Sequence, residues 1–190
     1  MNNTAIKYPL IFRNQIIDKH KEKIIEYIDN HKQDFGELNR DDYWGGRTIH
    51  IPQIQDDEIK NILIEHKNHM IDRFYELSGN HTKIYVDTLH LVRWPVGYEL
   101  MPHADAENPD GTQHQFYWRD FGTVTFLNDD FEGGDLYLPN QKIEIKARPG
   151  YTGIFPGSLE YLHGVKRITN GTRYTIASFL TYDESKAYKI

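Results

Sequence analysis

The hydrophobic period of this chain changes near its middle. From Asn14 to about Phe35, Ile17, Ile24, Ile25 and Ile28 recur at helical spacing with charges between them, which predicts an amphipathic helix. A second helix is predicted from Asp57 to Leu77. Asp56 or Asp57 supplies a capping carboxylate, and Ile59, Ile62, Leu63, Met70, Phe74 and Leu77 make one apolar stripe. His66 and His69, on or beside that stripe, read as ordinary helix-surface residues. Between the helices, Gly36 to Gln55 is irregular and contains Tyr43, Trp44, Gly45, Gly46 and Arg47. Aromatics beside glycines in a loop make Tyr43 and Trp44 candidate substrate contacts; tucking into the core is the competing expectation.

After Gly79 the period shortens to that of strands. Runs at Lys83–Trp94, Gly122–Leu127, Asp135–Leu138, Lys142–Lys146, Tyr151–Phe155, Leu162–Ile168 and Arg173–Thr181 are separated by turn residues such as Gly133-Gly134, Pro149-Gly150 and Asn170-Gly171. Many short strands at close spacing predict a sandwich or jelly roll, mainly β, with the helices packed on one of its sheets. A single domain over 1–190 is expected, with a helical part at 1–80 and a jelly-roll core at 81–182.

At 190 residues the chain is long enough to bury a sizeable core, and 38% hydrophobic with 26% charged residues suits a folded protein. The net charge of −6 argues against a nucleic-acid surface. No run approaches a membrane span and no signal-peptide pattern opens the chain, so a cytoplasmic protein with no membrane partner is expected. There is no cysteine, so any metal must be held by His, Asp or Glu.

One such set stands out. In His103-Ala104-Asp105 the two side chains lie two apart on an extended segment and point the same way. About 1.5 such His-x-acid pairs are expected by chance, so the pair alone is weak evidence. His163 follows 58 residues after Asp105, and Arg173 ten residues later. Two imidazoles and a carboxylate make the facial triad suited to non-haem Fe(II). A buried Arg suits the far carboxylate of a 2-oxo acid, which it can grip with two parallel hydrogen bonds.

The segments that carry these residues are LVRWPVGYELMPHAD (Leu91–Asp105), RDFGTVTFLNDDFEGGDLYLP (Arg119–Pro139) and RPGYTGIFPGSLEYLHGVKRITNGTRYTIASF (Arg148–Phe179). In order and spacing they resemble the prolyl 4-hydroxylase-like branch of the iron(II)/2-oxoglutarate dioxygenases, over about residues 84 to 182. The resemblance implies a double-stranded β-helix (jelly roll), with His103, Asp105 and His163 as metal ligands and Arg173 on the distal carboxylate of 2-oxoglutarate. It also implies Fe(II), 2-oxoglutarate and O₂, with ascorbate as a candidate reductant, and hydroxylation of a prolyl residue in a peptide or protein, or of a small molecule. Asp105 favours hydroxylation, because relatives that halogenate carry a small residue there.

The chain departs from the family where relatives place tyrosines and a threonine on the co-substrate. The matching positions here are Trp94, Gly122 and Phe126, so a more apolar pocket is expected, with Trp94 as a replacement donor. Thr175, on Arg173's face, is a second candidate for the co-substrate carboxylate; Thr123 and Thr125 fall on the opposite face from Phe126. For His163 and Arg173 to share a face of one hairpin, a three-residue loop, Thr169-Asn170-Gly171, or a bulge nearer His163 is required, with Gly171 left-handed. The polar segment Ala106 to Trp118 follows the metal motif as a candidate lid or substrate loop, with His114, Tyr117 and Trp118 as candidate substrate contacts. Two rival readings remain: a cupin-like metal-binding module, and a metal-dependent dioxygenase or isomerase that does not use 2-oxoglutarate.

Overall fold

In the computed structural model, residues 8–31 and 48–188 are described. Tyr43 and Trp44 lie outside them. Strand β1 (Leu10–Arg13) leads into α1 (Gln15–Asn30), whose N-cap Asn14 accepts a hydrogen bond from the Ile17 N–H. A short strand β2 (Thr48–His50) precedes α2 (Asp57–Ser78), capped by Asp56 as its sequence predicts. Strands β3 (Tyr85–Trp94), β4 (Leu100–His103), β5 (Phe121–Phe126), β6 (Glu132–Gly133), β7 (Leu136–Leu138) and β8 (Ile143–Ile145) follow. The chain ends with β9 (Tyr151–Pro156), β10 (His163–Val165), β11 (Ile168–Asn170) and β12 (Arg173–Thr181).

Six strands form one antiparallel sheet in the order β1-β9-β5-β12-β3-β2, and four form another in the order β4-β10-β7-β8. This is the jelly roll expected from the strand spacing. Both helices lie on the outer face of the six-stranded sheet. Ile17, Ile24 and Ile28 of α1, and Leu63, Met70 and Phe74 of α2, pack there with Leu91, Ile154, Ile176 and Leu180. That face explains the even positions of β12. The odd ones, Arg173, Thr175, Ala177 and Phe179, face the space between the sheets. Two smaller apolar clusters fill that space: Val92, Trp94, Leu100, Val165, Ile168 and Ala177, and Phe126, Leu136, Leu138, Ile145 and Phe155.

Two expectations are corrected. His66 is fully buried rather than on the helix surface, with its Nδ1 2.8 Å from the Asn14 side-chain nitrogen. The hydrogen bond ties the α1 cap to α2 and offsets the cost of burying an imidazole. Second, His163 and Arg173 do not share a hairpin. The run expected at Leu162–Ile168 breaks: β10 pairs with β4 and β7, whereas β11 pairs with β6, and β12 sits between β3 and β5 in the other sheet. The hydrogen bond from Ile168 N–H to Tyr98 O and that from Gly97 N–H to Ile168 O hold the crossover. The loop geometry proposed for 169–171 therefore does not set the facing, although Gly171 is left-handed, with φ of 74°.

Candidate metal centre and adjoining groove

His103 ends β4 and His163 begins β10, and the register makes them direct partners. Asp105 follows β4 by two residues, where its backbone N–H donates to Gly157 O at 2.9 Å. The carboxylate faces the Nε2 atoms of both rings, whose centres lie 4.4 Å apart. His103 Nε2 is 3.6 Å from Asp105 Oδ1, and His163 Nε2 is 3.5 Å from Oδ2. One ligand atom from each residue falls within 4.8 Å of the others, and among the described residues no other His/Asp/Glu group does this.

The backbone orients both rings. His103 Nδ1 lies 3.0 Å from Met101 O and His163 Nδ1 lies 3.2 Å from Tyr161 O. A carbonyl only accepts, so each Nδ1 carries the proton and donates, which turns the Nε2 edge toward Asp105. Burial alone would raise the Asp105 pKa. The neighbouring His163 and then His103, whose protonated forms would pair with the carboxylate, outweigh it and hold the carboxyl well below the usual carboxylate range. Burial would likewise lower the His103 pKa, but Asp105 raises it. The centre thus attracts positive charge. Gly122 makes room for it, since a Cβ there would stand 2.4 Å from Asp105 Oδ2 and 2.8 Å from the Phe155 ring.

Arg173 faces this centre from the six-stranded sheet, in one cavity with His103, Asp105 and His163. It is 1% exposed. Burial pushes its pKa down to about 9, opposed by the charge of Asp135. Its Nε and Nη2 have no hydrogen-bond partner among the described residues, and neither has Asp105 Oδ2. Trp94, Gly122 and Thr175 line the same cavity. The guanidinium carbon lies 5.3 Å from the centre of the Phe126 ring. Thr123 also lines the cavity, but its hydroxyl is bonded to that of Ser178, and the Thr125 hydroxyl is bonded to that of Thr152.

A groove of about 740 Å³ adjoins the centre, sharing His103, Asp105 and Phe179 with the cavity. Glu107, Asn108, Pro109, His114 and Phe116 from the 106–118 segment form one wall. Glu107 accepts a hydrogen bond from the Leu159 N–H at 2.7 Å and so ties this wall to the turn before His163. His114 Nδ1 accepts from the Phe116 N–H, which leaves the proton on Nε2. Burial, then the charge of Arg119, lower the His114 pKa. Trp118 is not among the groove-lining residues; it packs against Phe116 and Tyr117, with Lys186 Nζ 4.2 Å from its ring centre. Tyr117 is exposed and also outside the lining.

Arg119 was not singled out from sequence, yet it lines the groove. Its guanidinium carbon is 3.8 Å from the Phe116 ring centre and 3.7 Å from that of Phe179, and its Nε donates to Asp87 Oδ2 at 2.8 Å. Its place just before β5, in a run of aromatics, was the available signal.

The donor set fits the ion that the sequence implies. Two neutral-imidazole nitrogens and a carboxylate, with no thiolate, suit Fe(II), and a buried carboxylate oxygen without a hydrogen bond suits a cation. The unpaired Arg173 edge suits a carboxylate.

A family model described as the 2OG-Fe(II) oxygenase superfamily matches residues 89–181. Prolyl 3-hydroxylase 1 of Gallus gallus is 36% identical over 73 residues, which is 36% of this chain and 10% of that protein. Procollagen-lysine,2-oxoglutarate 5-dioxygenase 1 of Mus musculus is 30% identical over 139 residues, 70% of this chain and 17% of that protein. The chain thus spans a small part of the length of these relatives. Among solved structures, the viral collagen prolyl hydroxylase of Paramecium Bursaria Chlorella virus-1, a 2OG complex, superposes with a TM-score of 0.69 at 15% identity, covering 96% of this chain and 97% of that one. A Trichoplax adhaerens prolyl hydroxylase in complex with a hypoxia inducible factor peptide gives 0.67 at 20% identity, covering 97% and 86%. At these identities the likeness is one of fold.

Proposed function

The chain belongs to the 2OG-Fe(II) oxygenase superfamily, and from that premise we propose that it is an Fe(II)- and 2-oxoglutarate-dependent hydroxylase acting on a prolyl residue of a peptide or protein. In this reading His103, Asp105 and His163 hold the iron, and Arg173 and Thr175 receive the distal carboxylate of 2-oxoglutarate. The observation that carries it is the pairing of two unmet needs in one cavity: a cation-seeking carboxylate facing two imidazoles, and a buried guanidinium with two unpaired N–H groups. A 2-oxo dicarboxylic acid between metal and Arg173 answers both.

When bound, Fe(II) supplies the activation of O₂ that couples the loss of CO₂ from 2-oxoglutarate to insertion of one oxygen atom into a substrate C–H. Succinate carries the other oxygen atom. The chain's own work is to bind and to orient. Met101 O and Tyr161 O fix the ring tautomers, and the apolar walls formed by Trp94, Leu136, Phe155 and Val165 keep water from the co-substrate. In the groove, the Arg119 guanidinium and the His114 Nε2–H present donors for peptide carbonyls, and Phe116 and Phe179 present apolar surface. The hydroxylases among the relatives and the peptide held by the Trichoplax protein support a peptide as substrate.

The test is incubation with Fe(II), 2-oxoglutarate, ascorbate as reductant and a proline-rich peptide, with succinate and peptide mass followed together. Succinate formed in step with a one-oxygen mass gain is the expected result. A metal-loaded protein that turns over no 2-oxoglutarate with any peptide, amino acid or small-molecule substrate points to the non-2-oxoglutarate enzyme. A cupin-like module gives Arg173 no role.

A further inference from the structure

A cation buried at 1% exposure needs a partner. A carboxylate or a backbone carbonyl would serve, but each occupies N–H donors. An aromatic face holds a guanidinium through its charge and leaves the in-plane donors open. Arg173 is held in that third way. Its register partner on β3 is Trp94, whose ring centre lies 5.5 Å from the guanidinium carbon. On the other flank, β5 brings the Phe126 ring to 5.3 Å through its pairing with Thr175. β12 runs between β3 and β5, so the two rings stand on either side of the guanidinium.

The donors left without partners are Nε and Nη2. These two N–H groups point the same way from one edge of the guanidinium, and that edge makes two parallel hydrogen bonds with a carboxylate. Phe126 has no hydroxyl to compete for the incoming anion or to share it. We infer that Trp94 and Phe126 are positioning residues: their faces fix the Arg173 guanidinium so that its Nε/Nη2 edge is held open for the co-substrate carboxylate. The inference rests on the co-substrate reading above. It assigns to two rings the ordering of one arginine, in a pocket whose walls otherwise offer little hydrogen bonding.

The experiment is anaerobic calorimetry on the full chain, first with Fe(II) alone and then with 2-oxoglutarate on the iron-loaded protein. Trp94→Leu and Phe126→Leu are each expected to raise the 2-oxoglutarate Kd roughly tenfold with the Fe(II) Kd unchanged. Trp94→Phe and Phe126→Tyr keep an aromatic face and are expected to keep most of the affinity. The Fe(II) titration reports whether each variant has folded. Leucine variants that bind 2-oxoglutarate like the wild type overturn the inference. So do leucine variants that lose Fe(II) and 2-oxoglutarate together, because the rings would then be supporting the fold. A wild-type protein that binds Fe(II) but no 2-oxoglutarate overturns the co-substrate reading first and this inference with it.

Discussion

Arg173 is costly where it stands, with two N–H groups unpaired in an apolar cavity, and a residue of that kind is kept for what it binds. Arg173→Met fills a similar volume without the charge, so its melting temperature is expected to rise above that of the wild type in a thermal scan. The same variant is expected to lose 2-oxoglutarate affinity by on the order of 100-fold, since a buried bidentate partner has been removed. A melting point that falls, with affinity intact, would mean that Arg173 is structural. Residues with a spaced motif around them were legible: His103 and Asp105 two apart, and His163 and Arg173 at fixed offsets. His66 was not, because the partner that permits its burial is Asn14, 52 residues away. Arg119 was missed for a similar reason, its ring contacts coming from Phe116 and from Phe179, which is distant in sequence.

Among the elements, the β4–β10 pair fixes the metal centre, because His103 and His163 are register partners across it. Gly164 lets the strands meet. A Cβ there would lie 2.5 Å from Leu100 O on β4 and 2.9 Å from the Tyr137 ring on β7. Gly164→Ala is expected to cost about 1–3 kcal/mol in denaturant unfolding. It is also expected to weaken Fe(II) binding, as β4 and β10 are forced apart. The α1–α2 contact carries a different sensitivity. Burial, and then the charge of His69, push the His66 pKa down to about 3 from 6.5, and on β3 the partly buried His90, beside His50 and Arg119, is also pushed down to about 3. Both are neutral when folded and take up protons on unfolding below pH 6.5. Their contribution to stability is therefore complete above pH 6.5 and lost as pH falls toward 3, by at most about 1.4 kcal/mol per pH unit for each group. His66→Gln keeps an acceptor for Asn14 and removes one titrating group, so denaturant midpoints at pH 7.5 and 5 are expected to differ less than in the wild type. An unchanged difference would contradict the role given to His66. Long alternating strands such as β3 and β12 could be read from their period, whereas β1, β2, β4 and β6 are too short to show one. The β10–β12 hairpin was wrongly expected because strands close in sequence were taken to pair. In a jelly roll the chain passes between sheets, and β11 marks that passage.

Across the whole molecule, the two sheets contribute different halves of the site. The four-stranded sheet and the residues just beyond it carry His103, Asp105 and His163, while the six-stranded sheet, backed by both helices, carries Arg173 and Thr175. A 2-oxo dicarboxylic acid spanning the cavity would join them. Fe(II) alone is expected to raise the melting temperature through the first sheet, and addition of 2-oxoglutarate to raise it further, by about 2.7 kcal/mol of stability at 100 times its Kd. 2-Oxoglutarate without metal is expected to add much less. The most direct measurement is anaerobic addition of Fe(II) and then 2-oxoglutarate to the metal-free protein, followed in the visible range for the charge-transfer absorption of a chelated 2-oxo acid. The expected result is a band that appears in the wild type, is absent in His163→Ala, and in Arg173→Met requires far more 2-oxoglutarate. Iron binding with no band at any 2-oxoglutarate concentration would contradict the assignment of this cavity to metal and co-substrate together.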